Sequence, residues 1–247
     1  GLTHFKSRAL AAASKFVAAA IILLVTVSRV HADGSAVDKV YHPYVDALES
    51  EIEFRSIFQD SETVNSNLKE LHQLSFGRSL GQSLFGEAYL VGKKSATGNF
   101  DIEAFEFELK WQLTEQGEYS ADWGVLFEYE QEFSEDIHEL TAALLVEKEF
   151  GRWSGTANLH FIQEWGSSIK DEFETALALQ ARYRYAREFE PALELYAGQN
   201  SMGLGPVIMG SSSLGVRKSI HWEAGVIFGL DNNSPDNTYR FLLEFEF

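Results

Sequence analysis

The side chains best suited to chemistry in this sequence are carboxylates, and they recur at every second position. Glu106, Glu108 and Lys110 interleave with Phe105, Phe107, Leu109 and Trp111. Glu128 and Glu130 interleave with Phe127 and Tyr129, and Glu147 and Glu149 follow the same rule. Residues two apart on an extended chain share a face, so each such run is a row of charge backed by a row of hydrocarbon. Rows of carboxylates around a water-filled space attract cations, offer acceptors to sugar hydroxyls and repel anions.

Other chemistries find less support. The histidines His42, His72, His138, His160 and His221 are scattered, with neither an HExxH nor a GxSxG arrangement, so no enzyme and no catalytic residue is expected. His160 shares a register with Asn158 and Glu164, which suits a hydrogen-bond network, and His138 is expected in water at a strand end. Cysteine is absent, which excludes thiolate metal sites, disulfides and cysteine nucleophiles. Asp231–Asn237 is rich in oxygen but lacks the spacing and terminal Glu of a calcium loop. No cofactor and no metal are expected. Gly198–Pro206 is not a phosphate loop, since no Lys-Ser/Thr follows its glycines. It reads as a turn, with an inward fold that narrows a passage as the alternative.

The elements that must position these residues are strands. From about Val45 onward the dominant signal has period two. Ala121, Trp123, Val125, Phe127 and Tyr129 alternate with Asp122, Gly124, Leu126, Glu128 and Glu130. Leu140, Ala142, Leu144 and Val146 alternate with Thr141, Ala143, Leu145, Glu147 and Glu149. A helix would wrap Leu177, Leu179, Ala181 and Tyr183 around more than half its circumference, whereas a strand puts them on one face. Breaks at 60–67, 79–81, 93–99, 115–118, 133–136, 151–154, 166–170, 187–191, 198–203, 215–218 and 231–237 divide the chain into about twelve strands joined as hairpins.

The first 32 residues are built differently. They hold Lys6, Arg8, Lys15 and Arg29 and no acid, and Phe16–Val27 is a 12-residue apolar run. That is too short for a membrane-spanning helix but fits the core of an export signal, with Val30 and Ala32 at positions −3 and −1 of a cleavage site. Removing this segment takes the formal charge from −17 to −21, because four bases and no acids leave with it. So acidic a body argues against a nucleic-acid partner. The expected organisation is a signal peptide over 1–32, a periplasmic segment over 33–44 and one barrel over 45–247.

Two closures satisfy the alternation: a soluble barrel with its apolar face inward around an apolar ligand, or a membrane barrel with that face toward lipid. Export, an even strand number and Tyr and Trp near strand ends (Tyr89, Trp111, Tyr129, Trp165, Tyr183, Tyr185, Trp222, Tyr239) favour the membrane. The final segment, Tyr239-Arg240-Phe241-Leu242-Leu243-Glu244-Phe245-Glu246-Phe247, puts Tyr239, Phe241, Leu243, Phe245 and Phe247 on one face. It resembles the C-terminal signature of bacterial outer-membrane β-barrels, whose assembly machinery recognises an aromatic-ended last strand. The resemblance implies an all-β fold, a single up-and-down antiparallel transmembrane β-barrel of about twelve strands in the outer membrane. It further implies contact with outer-membrane lipid, lipopolysaccharide and the barrel assembly machinery. The lumen would then be lined by Glu53, Arg55, Glu106, Glu108, Lys110, Glu128, Glu130, Glu147, Arg182, Arg184, Arg240 and Glu244. Such a lumen fits a narrow, monomeric, porin-like channel passing small solutes with a mild preference for cations. A plugged barrel with a structural, adhesive or assembly role is the alternative.

Overall fold

A computed structural model describes residues 37–60, 68–95 and 98–247. The twelve strands are β1 (Ser50–Asp60), β2 (Leu68–Ser79), β3 (Leu84–Ser95), β4 (Phe100–Gln112), β5 (Asp122–Glu132), β6 (Ile137–Phe150), β7 (Trp153–Gly166), β8 (Glu172–Tyr183), β9 (Glu190–Ala197), β10 (Met202–Gly215), β11 (Lys218–Gly229) and β12 (Asn237–Glu246). Each strand pairs antiparallel with its neighbours in sequence, and β1 pairs with β12 to close the barrel. Closure satisfies every edge, which an isolated alternating sheet could not do. Val30 and Ala32 of the expected cleavage site lie outside the described residues.

Both ends of the closing seam meet. Ser50 N donates to Phe247 O at 2.9 Å, and Phe247 N returns the bond to Ser50 O at 2.8 Å. This defines a terminal end of the barrel, where tight hairpins at 151–152 and 216–217 also lie. Loops 133–136, 167–171 and 198–201 form the opposite end.

The alternation sorts the faces as hydrocarbon and charge require, but in the sense opposite to a soluble protein. Phe54, Phe76, Leu90, Phe107, Trp111, Phe127, Leu140, Phe161, Phe241 and Leu243 are exposed, while Glu53, Arg55, Glu147, Glu194 and Arg240 are at most 1% exposed. An apolar surface encircling a folded chain is far larger than a water-facing monomer carries. It is the surface an acyl-chain solvent demands. The soluble alternative needs an apolar interior, whereas these inward positions are Glu and Arg. Strands of about 12 residues rising about 3.4 Å each, tilted as barrel strands are, cover roughly 30 Å, enough for an outer-membrane apolar band.

Three local expectations change. Tyr89, expected in an interfacial belt, is 2% exposed and faces inward because it shares the register of Glu87 and Val91. Gly203–Pro206, expected in a turn, lies inside β10; the turn itself is confined to 198–201. The glycines serve packing there: a Cβ on Gly205 would stand 1.7 Å from Val226 O of the adjacent strand. His138 is not simply solvated. It stacks between the rings of Tyr129 and Trp165 at centroid distances of 6.1 and 5.5 Å.

Candidate functional site in the barrel interior

The interior is occupied by the chain's own leading segment. Residues 37–44, expected as a periplasmic piece ahead of the barrel, instead run up the inside of it. Tyr44 Oη donates to Asp122 at 2.6 Å and Val45 N to Gln112 Oε1 at 2.8 Å, both at the terminal end. Val37 packs with Tyr196, Val207, Met209 and Ile227 toward the opposite end. The physical reason is complementarity: the inward face offers unpaired carboxylates and amides, and this segment brings a cation, hydroxyls and backbone groups to satisfy them.

Each strap residue meets a specific wall residue. Asp38 Oδ1 pairs with Arg55 Nη1 at 2.9 Å, and its carbonyl accepts from Arg240 Nη1 at 2.6 Å and Tyr196 Oη at 2.9 Å. Lys39 Nζ donates to Glu53 at 2.7 Å and Tyr89 Oη at 3.2 Å. Tyr41 Oη donates to Glu108 at 3.0 Å, and His42 Nδ1 meets Glu147 at 2.6 Å. Pro43 backs onto Gly124, where a Cβ would lie 3.0 Å from its ring. Several inward positions that break the polar rule lie against this leading strap: Leu126, Ala143 and Leu145 gather round Tyr41, whereas Val91 and Ala104 pack with Tyr89 instead. The exceptions against the strap were the available signal that something fills the lumen.

The inward residues expected from sequence fall into separate groups. Arg240 binds Glu194 at 2.9 and 3.1 Å and Glu223 at 2.5 Å, all buried. Glu194, Glu223, Tyr196, Gln73 and Asn158 join this interior although no reading of spacing singled them out as lumen residues except Asn158. Arg55 donates to Gln73 at 2.8 Å. Arg182 spans Glu147 and Glu190 at 3.5 and 3.2 Å, and Arg184 reaches Glu149. Lys110 lies under the Phe85 ring, 5.8 Å from its centre. His160 meets the Tyr41 ring edge-on at 6.5 Å rather than joining a polar network. Tyr239, Phe241, Leu243 and Phe247 of the last strand are exposed on the outer face, and Phe245 is half-buried against Phe247.

The remaining acids form an arc that spacing within one strand could not reveal. Register places Glu106 opposite Glu130, Glu130 opposite Glu139, Glu139 opposite Glu164 and Glu164 opposite Glu172, crossing β4 to β8. A parallel row puts Glu87 opposite Glu108 and Glu108 opposite Glu128. Like charges directly opposite one another destabilise a sheet, so these carboxyls must share protons or draw cations and water to the wall. Lys93, at 3.5 and 3.3 Å from Glu130 and Glu132, answers only part of that charge. A cavity of about 560 Å³ opens at the terminal end, lined by Glu49, Glu51, Glu87, Lys110, Glu244 and Glu246 among others.

No protein-family model and no curated protein matches the sequence. Among solved structures, the COG4313 outer membrane channel from Pseudomonas putida F1 is similar, with a TM-score of 0.59 at 14% identity over 85% of this chain and 98% of that one. The KdgM porin in complex with disordered oligogalacturonate gives a TM-score of 0.52 at 10% identity, covering 80% of this chain and 98% of that one. The NanC porin gives 0.51 at 10% identity, over 78% and 98%. At these identities the likeness is one of fold: a closed barrel of the outer-membrane kind.

Proposed function

We propose that the protein is a bacterial outer-membrane barrel that passes small solutes passively, with a mild preference for cations and with residues 37–45 as its constriction. The observation that carries this reading is the carboxylate arc from Glu106 to Glu172 on the wall of a barrel whose outside is apolar. Rings and arcs of Asp and Glu select cations by field strength along a wet path. The similar solved structures being described as channels and porins supports it. The reading includes export with cleavage after Ala32, delivery to the assembly machinery through Tyr239–Phe247, contact with lipid and lipopolysaccharide, and action as a monomer without enzymatic chemistry.

Planar-bilayer recording of the refolded protein tests it. Small conductance steps with a reversal potential displaced toward the cation equilibrium value are expected, and they should grow when residues 37–45 are deleted. Absence of steps from both the full chain and the deletion would remove the channel reading.

A second reading, a plugged barrel with a structural or adhesive role, is favoured by one observation. The strap is held by side chains from β1, β3, β4, β5, β6, β7, β9 and β12, more anchorage than a loose constriction needs. Under that reading only the deletion conducts.

A further inference from the structure

The two ends of the barrel carry opposite charge. In the described turns of the loop end stand Glu135, Asp136, Asp171, Asp231 and Asp236, against Lys170. At the terminal end, the arc from β6 to β11 reverses this. Its turns hold Arg152, Arg184, Arg187 and Arg217 with Glu188 as their one acid, and Lys148 and Lys218 lie on the adjoining strand ends. Arg184 is paired with Glu149. Lys148, Arg152, Arg187, Arg217 and Lys218 are all exposed, and among the described residues no carboxylate lies within ion-pair distance of them. Arg217 donates to Leu48 O at 3.0 Å, which leaves its charge unanswered. The turns adjoin: Arg184 N donates to Arg152 O and Ser211 N to Arg187 O, each at 2.8 Å.

This basic arc sits at a defined depth. Phe150 pairs with Trp153, and Trp153 with Tyr183, across neighbouring strands. The Trp153 and Tyr183 rings are 5.1 Å apart, and those of Tyr185 and Phe189 6.5 Å. Such a band of rings collects where a membrane meets water, and here it bounds the apolar outer face that carries Leu140, Leu144, Phe161 and Leu193. Lys148 has the outward register of Leu144 and Val146, yet its Nζ lies 5.4 Å from the centre of the Phe150 ring, two residues nearer the end. A lysine on a lipid face behaves so when its stem stays in hydrocarbon and its ammonium reaches the boundary. Arg152 and Arg187 follow the ring band, in the turns. At the tip of the β10–β11 hairpin, Leu214 and Val216 are 54% and 90% exposed beside Arg217 and Lys218.

We propose that this arc is a docking surface for anionic phospholipids, their headgroup phosphates against Lys148, Arg152, Arg187 and Arg217 and their acyl chains over Phe150, Trp153 and Leu214. Bases beside exposed hydrocarbon fit a lipid, whereas a free anion would leave the hydrocarbon uncovered. A zwitterionic lipid brings its own cation to its phosphate, so the excess of bases favours a net negative headgroup. The inference rests on the membrane reading of the barrel and names the lipid class and its place; it does not depend on conduction.

Native mass spectrometry tests it, with the refolded protein loaded from micelles containing equal amounts of phosphatidylglycerol and phosphatidylcholine. A base near an anionic headgroup layer contributes about fivefold, equivalent to about 1 kcal/mol. Phosphatidylglycerol should therefore be retained at least about tenfold over phosphatidylcholine. Lys148→Gln/Arg152→Gln/Arg187→Gln should bring that ratio close to one, while Lys94→Gln/Lys170→Gln, at the loop end, should leave it unchanged. Heat-modifiable gel migration verifies folding. Should the triple variant not fold, the unaltered protein in about 0.5 M salt carries the test, because screening should collapse the preference. A preference that survives both the triple variant and salt, equal loss in the loop-end variant, or equal retention of the two lipids overturns the proposal. Displacement by millimolar glycerol phosphate, which has the phosphate without acyl chains, would assign the arc to a soluble anion and likewise overturn it. Retention of neither lipid overturns it together with the membrane reading, and a silent bilayer leaves it intact.

Discussion

Asn158 grips the backbone of Tyr41 with both atoms of its amide: Tyr41 N donates to Oδ1 at 2.7 Å, and Nδ2 donates to Tyr41 O at 2.8 Å. A wall side chain thus reads the strap as a neighbouring strand would, and it is fully buried in doing so. Backbone recognition is independent of the strap's own side chains, so this contact fixes the position of the segment rather than its identity.

Asn158→Ala should release that position. Two buried hydrogen bonds at roughly 1 kcal/mol each amount to about 2 kcal/mol, or roughly a thirtyfold shift toward the displaced strap. Single-channel recording should show longer or larger openings, while the barrel still migrates as folded. Gly124→Val, which puts a side chain where Pro43 sits, should act in the same direction by steric displacement. Unchanged conductance in both variants would mean that the strap does not set the passage.

Neutralising the arc should change selectivity without changing size. Glu106→Gln with Glu130→Gln and Glu139→Gln removes three consecutive members of the cross-strand row. The reversal potential in a salt gradient should move toward zero with the conductance altered by less than about twofold, because charge rather than bore supplies the preference. Stability should rise slightly, since opposed like charges are relieved. A reversal potential that does not move would place the ion path elsewhere.

The strands and the two faces of the barrel were legible because lipid and charge impose period two on every residue. Phe105 to Trp111 can be assigned to sides without knowing any partner. The strap was not, because Val37–Val45 shows no alternation and its meaning lies in meetings across the whole chain, such as Asp38 with Arg240, 202 positions apart. The carboxylate arc was half legible: each Glu announced its side, but the register that puts Glu130 beside both Glu106 and Glu139 depends on hairpin geometry. Tyr89 shows the limit of residue type. An aromatic near a strand end suggested the interface, yet its parity with Glu87 sends it inward to Lys39.

The loop between β5 and β6 carries a pH signature. Asp136 is held below the usual aspartate range by the Ser167 hydroxyl and by His138, with the Ser167 backbone N–H adding a bond at 3.2 Å. A carboxyl whose folded pKa is depressed contributes above its unfolded value of about 3.9, and the contribution disappears as pH falls through the lower folded value. Amide exchange at Ser167 should therefore be protected from neutral pH down to about 4 and lose protection below that. Asp136→Asn should remove the pH dependence. Protection that does not change between neutral pH and about 3 would show that the Asp136 carboxylate does not hold this loop.

The strongest stability prediction concerns Arg240. It is 1% exposed and is the cation common to Glu194 and Glu223, besides holding the Asp38 carbonyl. Replacing it by Ala takes the arginine from two buried carboxylates and leaves Glu194 only its bonds from Gln180 and Tyr196 and Glu223 only His221, a loss of about 3–5 kcal/mol for a broken buried pair. Arg240→Lys keeps the charge but not the planar fork that reaches Glu194 through two nitrogens and Glu223 through one, so it should recover only part. Urea unfolding in detergent, followed by gel migration, should show the midpoint falling in the order unaltered chain, Lys variant, Ala variant. The triple variant Arg240→Leu/Glu194→Leu/Glu223→Leu, which removes charge and carboxylates together, should recover stability relative to Ala, because hydrocarbon of similar size can replace a buried ion network at little cost. An Ala variant as stable as the unaltered chain would show that water already solvates these groups.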